Sequence, residues 1–309
     1  MPTVTLARHA MATRFELVLH GANEAALRAA GEEALAEVDR LESQLSLYRP
    51  GSEIAQLNAR AAHEPVRVSP EVFALLQHAA RLTAETEGAF DITIAPLVRC
   101  WGFRHQNGHV PTEAEIAAAR AVVGMQHVLF NPAERTIRFA HPGVMLDLGA
   151  IGKGYAIERG AELLREAGVT SALFHGGTST ACAIGQPLDA EHWEVALPAR
   201  ASAESTAALP ATLRLRDESV SVSAIWGRSF VAEGKLFGHV IDPRLGQPVT
   251  GAVLSVVILP SATETDALST ALLTLGFVGH AKISKLRPGM RSLIVDANGA
   301  MDFLPKQNT

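Results

Sequence analysis

DLGAIGKGYAIERGAELLREAGVTSALFHGGTSTACAI, residues 147–184, decides how this chain is built. Gly149, Gly152 and Gly154 make a tight turn that opens a helical stretch, and Gly168 closes it. Two short strands follow at 171–175 and 180–184, separated by Gly176-Gly177. A helix followed at once by strand–turn–strand points to an antiparallel sheet rather than to repeated parallel βαβ units.

The same grammar extends in both directions. Upstream, residues 3–21 read as a strand interrupted around Met11-Ala12-Thr13. Asn23 then caps a helix whose apolar residues Leu27, Ala30, Ala34, Val38, Leu41 and Leu45 recur at spacings of three and four. That helix ends near Tyr48-Arg49-Pro50-Gly51. Ser69, Pro70 and Glu71 open a second helix, striped by Val72, Leu75, Leu76, Ala79 and Leu82 and stopped by Gly88. Thr112 and Glu115 form a capping box for a third. Residues 127–130 and 136–140 read as a hairpin. Downstream come a strand at 193–197, an Ala/Ser-rich surface excursion at 198–210, strands at 219–223, 253–259 and 292–296, and a helix at 265–276. Long helices among hairpins predict an α+β fold, with mixed and antiparallel sheets packed against the helices.

Composition excludes several function classes. The 309 residues carry 27 Lys+Arg and 32 Asp+Glu, a net charge of −5 without basic blocks, so a nucleic-acid partner is not expected. No apolar run approaches the roughly 20 residues that span a bilayer. Two cysteines without a CxxC pair, and twelve histidines without HxH or HxxxH spacing, argue against disulfide scaffolds and Cys- or His-ligated metals. Met1-Pro2-Thr3-Val4 shows no signal peptide or lipobox. The expectation is a cytoplasmic protein, the alternative an exported form with its signal removed.

Four features carry chemistry. The glycine turn at 147–154 exposes backbone N–H groups beside Lys153 at a helix start, which suits an anion and equally suits a plain strand-to-helix turn. Asp266 and Thr270 lie four apart on a helix, so a carboxylate and a hydroxyl share one face. Such hard oxygens suit Mg²⁺, but an acid early in a helix also simply favours the dipole. His239 stands in a strand that runs through Val240 and Ile241 into Asp242-Pro243, where a lone histidine is more often structural. Gly88-Ala89-Phe90-Asp91 joins a helix end, an aromatic expected to be exposed, and an acid, with Trp101 shortly after; this suits a flat heteroaromatic ligand or an ordinary core edge.

Taken in order, these blocks resemble the ApbE family of FAD:protein FMN transferases. The matching runs are 11–13, 46–53, 88–91, Pro96-Leu97 through Trp101-Gly102-Phe103, 147–156, Gly176-Gly177, 239–243 and 266–271. The resemblance implies a T-fold-like architecture, one unit over residues 1–309, with the flavin site in a cleft between the halves. It implies FAD as substrate, Mg²⁺ as cofactor, and transfer of FMN to a Thr/Ser hydroxyl of an acceptor flavoprotein with release of AMP. It places the metal on Ala150, Asp266 and Thr270, and FAD against Met11, Tyr48, Ala89, Phe90, Asp91, Asp147, Lys153, His239, Val240 and Ile241. Asp266, His239 and Lys153 become the catalytic candidates, with Asp147 and Asp242 as further possible bases.

The chain departs from the family pattern at four places. Ala12 replaces a usual glycine, Thr178 a usual aspartate, Ala224 a usual glycine and Leu245 a usual threonine. The alternatives are an FAD pyrophosphatase that gives FMN and AMP, and a non-catalytic flavin-binding module.

Overall fold

The structure is a computed structural model that describes residues 1–103, 108–197, 212–227, 229–232 and 234–305. The chain runs β1 (Thr3–Ala10), β2 (Thr13–His20), α1 (Glu24–Leu45), α2 (Glu53–Arg60), β3 (Val66–Arg67), α3 (Pro70–Glu85), α4 (Ala95–Cys100), α5 (Glu113–Arg120), β4 (Val128–Asn131) and β5 (Thr136–Phe139). It continues through α6 (Gly152–Glu166), β6 (Ala172–Gly176), β7 (Thr180–Ile184), β8 (Trp193–Ala196), β9 (Thr212–Leu215), β10 (Ser219–Ala224), β11 (Ser229–Ala232) and β12 (Lys235–Gly238). The last elements are β13 (Ile241–Asp242), β14 (Gln247–Pro248), β15 (Leu254–Leu259), α7 (Ala262–Ile283), β16 (Arg291–Val295) and β17 (Met301–Leu304).

One eight-stranded sheet, in the order β1-β2-β6-β7-β10-β15-β16-β17, joins strands from both ends of the sequence. Every strand pairing among the described residues is antiparallel, so the mixed sheets left open by the sequence do not occur there. One face, with Phe15, Leu17, Phe174 and Val257, packs on α1, α6 and α7. The other, with Ala181, Ala183, Val256 and Ile258, is covered by Trp193, Leu197 and Leu215 from the β8–β9 region. Central β15 is therefore buried at every position. The predicted excursion at 198–210 lies outside the described residues.

Cap chemistry fixes the helices where the sequence placed them. Asn23, Ser69 and Thr112 each accept a backbone N–H of their first turn, and the Thr112–Glu115 box is reciprocal. The predicted stripe of α1 is buried throughout. The hairpin read at 127–140 is β4–β5.

Four readings change. Residues 3–21 are not one interrupted strand but a tight hairpin, with Ala10 paired to Thr13. Met11 (φ 49) and Ala12 (φ 58) form its two-residue turn in the left-handed region. The short helices α2 and α4 went unread, because eight and six residues carry too few periods to stand out. The helix read as ending at Gly276 does break there (φ 65), but a second helical segment continues from it to Ile283. Phe90 is buried, at 1% exposure, not exposed.

Ala12 at positive φ predicts a simple gain. Ala12→Gly is expected to raise stability by up to about 1 kcal/mol, left-handed strain relieved less the extra freedom of the unfolded chain. A melting temperature at or below that of the unaltered protein would refute it.

Helices α3 and α7 are tied by a charged chain. Glu264 meets His78 at 3.1 Å and Arg287 at 2.7 Å, and Arg287 reaches Glu85 at 2.6 Å. Burial pushes the Glu264 carboxyl up, but the hydrogen bonds from His78 and Arg287 and the Arg287 charge outweigh it and hold it at about 2, below its ordinary 4.5. A depressed folded-state value contributes stability above pH 4.5 that is lost as pH falls towards about 2. The urea midpoint is expected to drop across that window, and less steeply in Arg287→Met.

Candidate functional site

A cleft of about 880 Å³ opens where the edges of these elements meet. Every residue that the sequence assigned to FAD or metal lines it. They come from six separate stretches: the β1–β2 turn, the loop after α1, residues 89–91, the glycine turn running into α6, residues 239–241, and the first half of α7.

The polar end is built where α6 and α7 touch. Asp266 is buried at 4% exposure. Its Oδ2 accepts the Gly154 N–H at 2.9 Å, and its Oδ1 lies 4.0 Å from Lys153 Nζ. Lys153 also donates to the Gly149 carbonyl at 3.0 Å, so its ammonium bridges the glycine turn and α7. Gly154 is required by close approach: a Cβ there would fall 2.2 Å from the Ala262 carbonyl oxygen and 2.7 Å from Asp266 Cβ. Glu158, one turn further along α6, accepts from Ser261 Oγ and the Thr263 N–H, both at 2.7 Å, and so holds the start of α7.

Thr270 faces the cleft beside Asp266, its hydroxyl 3.3 Å from the Asp266 carbonyl and 3.2 Å from Ser223 Oγ. Ser223 belongs to a seam of hydroxyls between β10 and α7, which includes Ser221–Thr265 at 2.8 Å and Ser223–Ser269 at 2.9 Å. These small polar side chains let the helix lie close to the sheet with their groups paired. The period-two serines of SVSVSA were the available signal for this seam, and the sequence reading did not use it.

The side-chain oxygens near this contact are the Asp266 carboxylate and the Thr270 and Ser223 hydroxyls, with Ala150 and Asp147 of the turn also in the cleft lining. No group of three or more His, Cys, Asp or Glu suited to a metal occurs among the described residues. Few, hard, oxygen donors fit Mg²⁺, which keeps waters and substrate phosphates as its other ligands, and do not fit zinc.

Other parts of the lining are more apolar. Tyr48 lines the cleft while 57% exposed, and the buried Phe90 forms part of the wall. Asp91 is buried and its carboxylate already accepts from the Thr93 N–H (2.8 Å), the Thr93 hydroxyl (2.6 Å) and the Met125 N–H (3.2 Å). Burial pushes its pKa up, with these hydrogen bonds opposing. Asp147 Oδ1 accepts the Gly149 N–H at 2.8 Å and shapes the glycine turn. His239 lies in a bend between β12 and β13 rather than within a strand.

Of the three possible bases, Asp242 drops out. Arg244 grips it through Nε (2.9 Å) and Nη2 (2.6 Å), and it does not line the cleft. Asp147 and His239 do. Ser292, His280 and Asp302 form a hydrogen-bonded chain with 2.8 Å links, but Ser292 and His280 are buried away from the cleft and serve packing between α7 and the sheet edge.

A model of the ApbE family matches residues 11–294. A Salmonella typhimurium protein named FAD:protein FMN transferase is 33% identical over 237 residues, covering 75% of this chain and 67% of that one. A protein of the same name from Klebsiella pneumoniae is 31% identical over 271 residues, covering 86% and 77%. Among solved structures, the ApbE protein of Thermotoga maritima superposes with a TM-score of 0.87 at 27% identity, covering 97% and 96%. The flavinyl transferase ApbE of Pseudomonas stutzeri, in its apo form, gives 0.82 at 28% identity, covering 98% and 93%.

Proposed function

The chain belongs to the ApbE family, and from that premise we propose that it is an FAD:protein FMN transferase acting as one catalytic unit. The observation that carries the reading is the meeting, in one cleft, of a hard-oxygen site around Asp266 with an aromatic mouth at Tyr48. FAD, with its isoalloxazine ring joined through a ribityl chain to a central pyrophosphate, offers a flat ring to the one and phosphate oxygens to the other.

The reaction moves one phosphoryl group. The oxygen of an acceptor Thr or Ser forms a bond to the FMN phosphorus of FAD, and the bond from that phosphorus to the bridging oxygen breaks. AMP leaves with the bridging oxygen, and the hydroxyl proton is released. Asp266, Thr270 and the Ala150 carbonyl would hold Mg²⁺, which when bound would stabilise charge on the pyrophosphate oxygens. Lys153 adds a second cation from the opposite helix. His239 is the proposed proton acceptor: it lines the cleft, whereas Asp242 is gripped by Arg244 and Asp147, also in the lining, already accepts the Gly149 N–H. Aligning two substrates is the larger part of such chemistry.

Incubation with FAD, Mg²⁺ and flavoproteins of the same cell, followed by intact-mass measurement, tests this. An acceptor heavier by one FMN, with AMP released and no product without Mg²⁺, is expected. AMP and free FMN without a labelled acceptor would make it a pyrophosphatase. FAD binding with no product would make it a binding module.

A further inference from the structure

Glu42 sits in the last turn of α1 and lines the cleft. Its Oε1 accepts the backbone N–H of Met11 at 2.8 Å, and its Oε2 takes the guanidinium of Arg49. One carboxylate therefore joins two segments that lie on either side of α1 in the sequence. The first is the β1–β2 turn, which brings Met11 to the cleft, and the second is the loop that brings Tyr48 there.

The turn needs such a partner. Met11 and Ala12 are both left-handed without being glycine. Strained backbone of this kind persists where its surroundings over-determine it, and it concentrates at ligand sites. The hairpin register uses Ala10 and Thr13 to close the turn, and the Met11 N–H points instead to Glu42. The Glu42 side chain is 20% exposed against 53% for Arg49, so the hydrogen bond to Met11 lies on the sheltered side and the ion pair on the wet side. A hydrogen bond to a charged, sheltered acceptor counts for more than an exposed ion pair.

We propose that Glu42 is a positioning residue for the flat aromatic part of the substrate, fixing the distance between Met11 and Tyr48 across the cleft mouth. Glu42 works through these two segments and takes no part in phosphoryl transfer. The inference rests on the reading that the cleft takes FAD.

FAD affinity of the full chain, measured by flavin fluorescence without Mg²⁺ or acceptor, separates the two. Glu42→Ala is expected to raise the Kd for FAD by about tenfold. Glu42→Gln keeps an acceptor for the Met11 N–H and should stay within about threefold of the unaltered chain. In turnover, the Ala variant's loss falls on half-saturation by FAD rather than on the rate at saturating FAD. Should the Ala variant not fold, Glu42→Asp, which keeps the charge but shortens the reach, is expected to show the same rise in Kd. An unchanged Kd in the Ala or Asp variant, or an equal rise in Gln and Ala, overturns the role of Glu42 alone. No FAD binding by the unaltered chain overturns the functional reading and this inference with it.

Discussion

Asp266→Asn is expected to lower Mg²⁺-dependent FAD cleavage by about 10²–10³-fold while the protein stays folded. The asparagine amide oxygen can still accept the Gly154 N–H, so the α6–α7 contact survives. What disappears is the one buried carboxylate that faces Lys153 across 4.0 Å. Without it the site keeps hydroxyl and carbonyl donors, which bind a hard divalent cation weakly. AMP release under saturating Mg²⁺ and a parallel thermal melt separate lost chemistry from lost fold. Undiminished turnover would remove Asp266 from the metal site.

Gly154→Ala is expected to reduce both stability and turnover, against the normal preference of helices for alanine. The added methyl would meet the Ala262 carbonyl at 2.2 Å and Asp266 Cβ at 2.7 Å. Backbone of α7 cannot rotate aside as a side chain does, so the helices must separate, at a cost of about 1–3 kcal/mol. The same shift withdraws the Gly154 N–H from Asp266. Gly51→Ala is the matched control, because a Cβ at Gly51 meets nothing within 4 Å. Gly154→Ala should melt several degrees lower and turn over FAD more slowly, whereas Gly51→Ala should do neither. Equal behaviour of the two variants would mean that the α6–α7 approach is not tight.

The net charge of −5 poses a problem for the proposed binding of an anionic pyrophosphate, and the proposed answer is local. Lys153 lines the cleft together with the proposed Mg²⁺ ligands, so that on the proposed reading Lys153 and Mg²⁺, rather than a basic surface, offset the pyrophosphate charge; the Gly149 and Gly154 amides are already taken by Asp147 and Asp266.

Much of this was legible in the chain. The Asn23, Ser69 and Thr112 caps placed three helices, because caps and stripes are local signals. The order of motifs named the residues of the cleft, and all of them line it. Phe90 was misread because an aromatic beside a glycine and an acid looks the same in sequence whether it is wall or rim. The hairpin turn was misread because Ala12 occupies a left-handed position where glycine would have announced it. Glu42 gave no signal at all: it is one more acid on a charged helix until the fold brings Met11 and Arg49 to it.

The sequence by itself determined where the capped and striped helices lie, that the fold is α+β with hairpins, and, through its resemblance to the family, which residues are candidates for the flavin nucleotide and the cation. Those depend on patterns a few residues long. Only the tertiary structure decided that Gly154 and Asp266, 112 positions apart, share a hydrogen bond, that Arg244 grips Asp242 outside the cleft lining, and that Glu42 joins the Met11 turn to Arg49. Those depend on side chains meeting across the sheet and between helices, and the distance at which two helices pack is set by atoms that no local pattern brings together.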